Sequence, residues 1–168
     1  VYTDNNKDLA SKNALKMAKD FWPNRKKMQA ELINLNDAIK IGSESSATVI
    51  FTDAADAPSS GALGDSNAII SEMVSQKYPH SILSTILDSD AANLAFKMGV
   101  GSLIKTSVGG KLDNRFNPLI LEFEVISINE KPFMPEKWAW LQKPGKSAVL
   151  KSNNLTIVVT SNPVLQVD

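Results

Sequence analysis

"HSILSTILDSDAANLAFKMG", residues 80–99, decides how this chain folds. Its first half (80–89) is rich in Ile and Leu, and its length suits a strand. Its second half (90–99) has helical apolar spacing, and Gly99 supplies a C-terminal stop. Upstream, "ATVIFTD" (47–53) is β-branched and nearly all apolar, which predicts a central strand buried on both faces. A helix from about Ser66 to Lys77 then buries Ile69, Ile70, Met73 and Val74 on one side. Strand, helix, strand, helix at this spacing predicts parallel βαβ crossovers.

Downstream the character changes. "SLIKTSV" (102–108), "LILEFEVISI" (119–128), "SAVLKS" (147–152) and "LTIVVTS" (155–161) read as strands joined by Gly, Asn and Pro turns. "KSNNLT" (151–156) suits a tight hairpin, because Asn tolerates positive φ, and "VGGKLDNRFNP" (108–118) suits a longer loop. This half predicts antiparallel pairing. Near the N-terminus, Asn5, Asn6 or Asp8 can cap a helix whose apolar positions are Ala10, Ala14, Met17, Ala18 and Phe21. Pro23 interrupts it, "NRKKMQAELINL" (24–35) resumes the helical pattern, and Asp37 to Ile41 adds a short turn of helix before Gly42. The fold class is therefore α/β: a mixed sheet, with βαβ units in the first half and antiparallel strands in the second, flanked by helices. The chain reads as a single domain, residues 1–168, whose ends look excised from something longer.

Composition excludes several functions. Lys and Arg together number 18, as do Asp and Glu, so the net charge is zero. A nucleic-acid or anionic-membrane partner needs a basic excess that is missing here. With no Cys and one His, disulfides and thiolate metal sites are ruled out, and a reducing, cytoplasmic location is compatible. Neither a membrane-spanning run nor a secretory signal is present in the sequence. The oligomeric state is left open.

The candidate site is "TDAADAPSSGALGDSN" (52–67), set between the expected strand and the expected helix. Ends of strands that feed helices are where open α/β sheets bind ligands. Ser59, Ser60, Gly61 and Gly64 leave room for close backbone approach, and the following helix presents free N–H groups that favour an anion. Asp65 or Ser66 sits where an N-cap belongs. One cap needs one carboxylate, so Asp53 and Asp56 call for another explanation: hydrogen bonds to loop amides, or a metal, a cation or a substrate. Other templates fail. No Walker-type Lys-Ser/Thr pair follows Gly64, "GVGSLI" is a partial dinucleotide fingerprint, and His80 at a strand start fits no triad. Trp138 and Trp140 alternate in a strand-like "EKWAWLQ" (136–142), which suggests same-face packing. "VGGKL" (108–112) could bring Lys111 to a ligand, but Lys111 reads better as a solvated hairpin lysine.

The 52–67 segment resembles the signature loop of the C-terminal domain of the microcystinase C (MlrC) family of metallopeptidases. That loop runs roughly Asp-x-x-Asp-Asn-Pro-Gly-Gly-Gly-Ala-Pro-Gly-Asp-Ser-Thr. "VYTDNNKDLA", "AFKMGVGSLIKTSVGGKLDNRFNP" and "SAVLKSNNLTIVVTS" resemble further family segments, in the right order. Matching positions are Asp53, Asp56, Pro58, Gly61, Ala62, Gly64, Asp65 and Ser66; departures are Ala57, Ser59, Ser60, Leu63 and Asn67. Residues 130–146 also depart from the family's Gly-rich stretch. The resemblance implies the substrate-facing domain of a zinc-dependent hydrolase that cleaves amide bonds of small linear peptides. It implies that the zinc is held by an N-terminal domain outside this chain, which is the domain's partner. On this view the catalytic residues lie outside the chain and no metal ligand lies within it. The loop residues Asp53, Asp56, Pro58, Ser59, Ser60, Gly61, Gly64, Asp65, Ser66 and Asn67 would bind substrate or shape the active site. The alternative is a non-catalytic anion-binding or structural domain.

Overall fold

The computed structural model describes residues 1–113, 115–136 and 140–164. They form two compact units, residues 1–34 and residues 35–168.

The first unit is helical. Helix α1 spans Lys7–Phe21, and the Asn6 side chain caps it by accepting a hydrogen bond from the Leu9 amide at 3.0 Å. The chain continues into a 3₁₀ helix, Trp22–Met28, with Pro23 in its first turn. The α-helix expected over residues 24–35 does not form as read. Pro23 has no N–H to continue the ladder, and residues 29–34 are non-helical.

The second unit carries helices α2 (Leu35–Glu44), α3 (Ala68–Ser75) and α4 (Ser89–Met98). Its strands are β1 (Ile82–Leu87), β2 (Leu103–Val108), β3 (Leu119–Asn129), β4 (Ser147–Ser152) and β5 (Leu155–Thr160). They make one mixed sheet in the order β1-β5-β4-β3-β2. The β1/β5 pair is parallel and the other pairs are antiparallel. The mixed sheet flanked by helices is thus present, with the parallel pairing between β1 and β5. Strands β1 and β2, consecutive through α4, lie at opposite edges. Side chains alternate by the period of two that strands impose: Ile86, Ile157, Val159, Leu150, Val125, Phe123 and Ile104 are buried on one face against α3 and α4. Beside them, Leu83, Lys151, Glu122, Glu124 and Leu103 are exposed on the other.

Two expectations change here. Residues 47–53 are not a strand. Strand formation needs a ladder partner as well as propensity, and this run has none among the described residues. Only its C-terminal end meets the core: Phe51 is half-buried against it, while Ile50 is 86% exposed. Gly42 does not end a helix but lies buried inside α2, where a Cβ would stand 2.6 Å from the Phe51 ring and 2.9 Å from the Tyr78 hydroxyl. It is a packing glycine. At the other end of the sheet the β4–β5 hairpin is as expected, with Asn153 at φ 53°. Asn154 donates to the carbonyls of Tyr78 and His80 at 2.8 and 2.7 Å, which ties the hairpin to the entry of β1.

Candidate functional site

Residues 52–67 run from the extended segment to α3. Pro58–Ser60 make a single 3₁₀ turn, closed by Gly61 at φ 88°. Ser59, Ser60, Gly61 and Leu63 form an exposed tip, whereas Asp65 and Asn67 are buried. The Gly64 carbonyl accepts the Leu87 amide at 2.8 Å, fixing the loop to the C-terminal end of β1.

Each of the three aspartates accepts hydrogen bonds from within the domain. Asp53 takes the Ala55 amide at 2.8 Å and the Ser66 hydroxyl at 3.2 Å. Asp56 takes the Gly64 and Ser66 amides, both at 2.7 Å. Asp65 is 1% exposed and reaches across to another motif. Its Oδ2 accepts the amides of Lys111 and Leu112 at 3.0 and 2.7 Å, and its backbone carbonyl accepts the Gly110 amide at 2.7 Å. Asn67 completes the join by donating to the carbonyls of Val108 and Asn117 at 3.0 and 2.8 Å. Buried carboxylates are costly unless hydrogen-bonded, and these bonds meet that need.

The N-cap expected of Asp65 or Ser66 is therefore not made by Asp65. Helix α3 starts one residue beyond Asn67, which makes no side-chain cap bond, and Ser66 Oγ accepts only a long 3.4 Å contact from the Ala68 amide. The Asp65 side chain is directed at the Gly-Gly-Lys turn instead. That turn needs its glycines. Gly109 and Gly110 have φ of 63° and 61°, and a Cβ on Gly109 would lie 2.7 Å from the Asp65 carbonyl oxygen.

Sequence reasoning missed Asp88. It was read as the end of a strand, yet "DSDAA" carries the Asp-before-apolar-helix signal of an N-cap. Asp88 is 4% exposed. Its Oδ1 caps α4 by accepting the Ala91 amide at 3.0 Å, and Oδ2 accepts the Gly109 amide at 2.9 Å. Lys111 Nζ donates to Oδ1 at 2.8 Å. The solvated lysine expected at 111 is corrected by this pair: the Lys111 side chain is 22% exposed, because a buried carboxylate recruits the nearest cation. Asp88 and Gly109 also bring the turn after β2, at one sheet edge, to the end of β1 at the other.

Farther along the turn, Arg115 grips Asp113 through Nε and Nη2 and lies over the Phe116 ring, 5.6 Å from its centroid. The Arg115 side chain, and then its backbone amide, hold the Asp113 carboxyl below its ordinary value of 3.8. Two shallow depressions of about 400 and 470 Å³ lie elsewhere, one at the β4–β5 hairpin and one on β3 and β4. Neither touches residues 52–67, and the chemistry points to the loop. His80 sits apart, with Nε2 3.0 Å from the Ser43 carbonyl. Trp140 is 43% exposed, and the paired-tryptophan reading rests on Trp138, which lies outside the described residues.

The model of the family described as MlrC C-terminus matches residues 51–168. The chain belongs to that family. The match begins at the signature loop and takes in the Gly-Gly-Lys turn, so both halves of the Asp65 contact fall inside it. Among solved structures, the chain is similar to a "putative metallopeptidase" from Mesorhizobium sp. BNC1, with a TM-score of 0.75 and 22% identity. That similarity covers 87% of this chain and 30% of the other. At that identity the likeness speaks for the fold. No curated protein matches the chain.

Among the described residues, no group of three or more His, Cys, Asp or Glu could hold a metal ion. Nor does any helix among them have the length and apolar character to cross a membrane.

Proposed function

We propose that this chain is the substrate-facing, C-terminal domain of a zinc-dependent metallopeptidase that hydrolyses amide bonds of small linear peptides, in the manner of microcystin degradation. The reading rests on family membership and on one structural observation. Asp65 fastens the signature loop to the Gly-Gly-Lys turn, whose amides lie 46 and 47 residues away in sequence. A wall built this way can orient an extended ligand through fixed geometry. The domain's tasks are binding, orientation and exclusion of water.

The chain's own donors do not fit a zinc site. There is one histidine, it is bonded to a carbonyl, and the loop carboxylates are occupied by amides. Zinc sites favour His and Cys ligands. We therefore assign the metal to a partner N-terminal domain and no hydrolytic step to a metal held here. A cytoplasmic location suits a chain without cysteine.

The test uses the full-length enzyme. Chelation abolishes peptide hydrolysis, zinc restores it, and Asp56→Asn lowers kcat/KM at least ten-fold while the melting temperature shifts by only a few degrees. Chelator-resistant turnover refutes the metal. One observation favours a second reading: all three loop acids are satisfied inside the domain, as in a purely structural clamp. Under that reading Asp56→Asn costs stability and leaves turnover untouched.

A further inference from the structure

We propose that Lys111, held in place by Asp88, is the group on this domain that receives a carboxylate of the ligand; the ligand class, a small peptide acid, rests on the reading above. The sequence pointed to the small-residue loop and the helix N-terminus for such a task. In the structure several of the loop and turn amides already have acceptors. Gly64 and Ser66 donate to Asp56, Gly109 to Asp88, Gly110 to the Asp65 carbonyl, and Lys111 and Leu112 to the Asp65 carboxylate.

Cations of the 109–117 turn are what remain to be considered. Arg115 pairs with Asp113 through Nε and Nη2 and is 68% exposed at its side chain, so it is held only at the surface. Lys111 is held on a buried carboxylate. Its ammonium has three donors and, among the described residues, makes one hydrogen bond, at 2.8 Å to Asp88. The Asp90 carboxylate stands 3.9 Å away, outside hydrogen-bond reach. The Lys111 side chain is 22% exposed.

Asp88 acts as the positioning residue. Its side chain is 1% exposed and also bound to the Ala91 and Gly109 amides, so it cannot turn away. An ammonium fixed on such a post has already lost the rotamer freedom that binding would otherwise cost. A charge-assisted bond to a carboxylate is then favourable. Asp90, 82% exposed at its side chain, competes for the same ammonium.

The experiment titrates the purified chain with N-acetylglycine, and in parallel with N-acetylglycinamide, which lacks the charge. Amide ¹H–¹⁵N shifts of Gly109, Lys111 and Leu112 give the readout. The acid produces saturable shifts and the amide none. Lys111→Gln keeps a donor for Asp88 and loses the response at least five-fold, while the β5 amide pattern stays unchanged. Asp90→Asn, an exposed substitution that tests the same ammonium without disturbing Asp88, tightens binding at least two-fold. Absence of saturable shifts in the unaltered chain overturns the proposal. So does an equal response in Lys111→Gln, or an unchanged affinity in Asp90→Asn. The titration needs no hydrolysis. A chain that binds the acid through Lys111 in an enzyme that cleaves no peptide defeats the peptidase reading and leaves the anchor standing.

Discussion

Asp65 shows how much one side chain can organise. Its carboxylate accepts two amides from a turn far away in sequence, in a position closed to water. Hydrogen bonds to a charged group contribute about 1.5–3 kcal/mol each, and leaving their partners unmet is costly. Asp65→Ala is therefore expected to destabilise the domain by about 3 kcal/mol, measured by urea unfolding. Asp113 is a surface counterpart with a different signature. Its carboxyl is held low by the Arg115 side chain first and the Arg115 amide second. A depressed carboxylate adds stability above its unfolded value and loses it as pH falls through the folded one, so whatever this pair contributes is present above pH 3.8 and is lost only below it. An NMR titration should find the Asp113 midpoint under 3.8, and Arg115→Gln should return it to the ordinary carboxylate range. At this scale the sequence was legible where residue types carried the signal. The acids of 53–65 stood out because a single helix cap could not use all three. Asp88 did not, nor did its pairing with Lys111, because that depends on a contact across 23 positions that no local pattern announces.

Elements were legible where local preference and tertiary environment agree. Strands β1 to β5 follow Ile-, Leu- and Val-rich runs, and the Asn-Asn hairpin follows from tolerance of positive φ. Where they disagree, the reading failed for identifiable reasons. Residues 47–53 have strand composition, but pairing is a property of two segments, and this one finds no ladder among the described residues. Gly42 looked like a stop because a glycine's packing role cannot be seen without the ring that covers it. The hairpin offers a direct test of how elements are joined. Asn154 spans from β5 to the two carbonyls that precede β1. Asn154→Ala removes both bonds and is expected to cost about 2 kcal/mol in thermal or urea unfolding, whereas Asn153→Gly, at a residue with φ 53°, should cost little or nothing.

For the molecule as a whole, the mixed sheet was foreseeable from the order of its parts, but its corner was not. Strands at opposite edges meet through Asp88 and the Gly109 amide, and the signature loop is fastened to the same turn. That arrangement also locates the candidate site: it lies where the ends of strands at opposite edges of the sheet are brought together. These contacts are non-local, and closing such loops costs entropy before any bond repays it. The corner should therefore form after the folding barrier has been crossed, with a φ-value near zero. Asp65→Ala should then accelerate unfolding in a stopped-flow chevron while leaving the refolding limb almost unchanged. A newly made chain would accordingly pair its antiparallel strands, which are nearer in sequence, before the signature loop is fastened to the turn after β2.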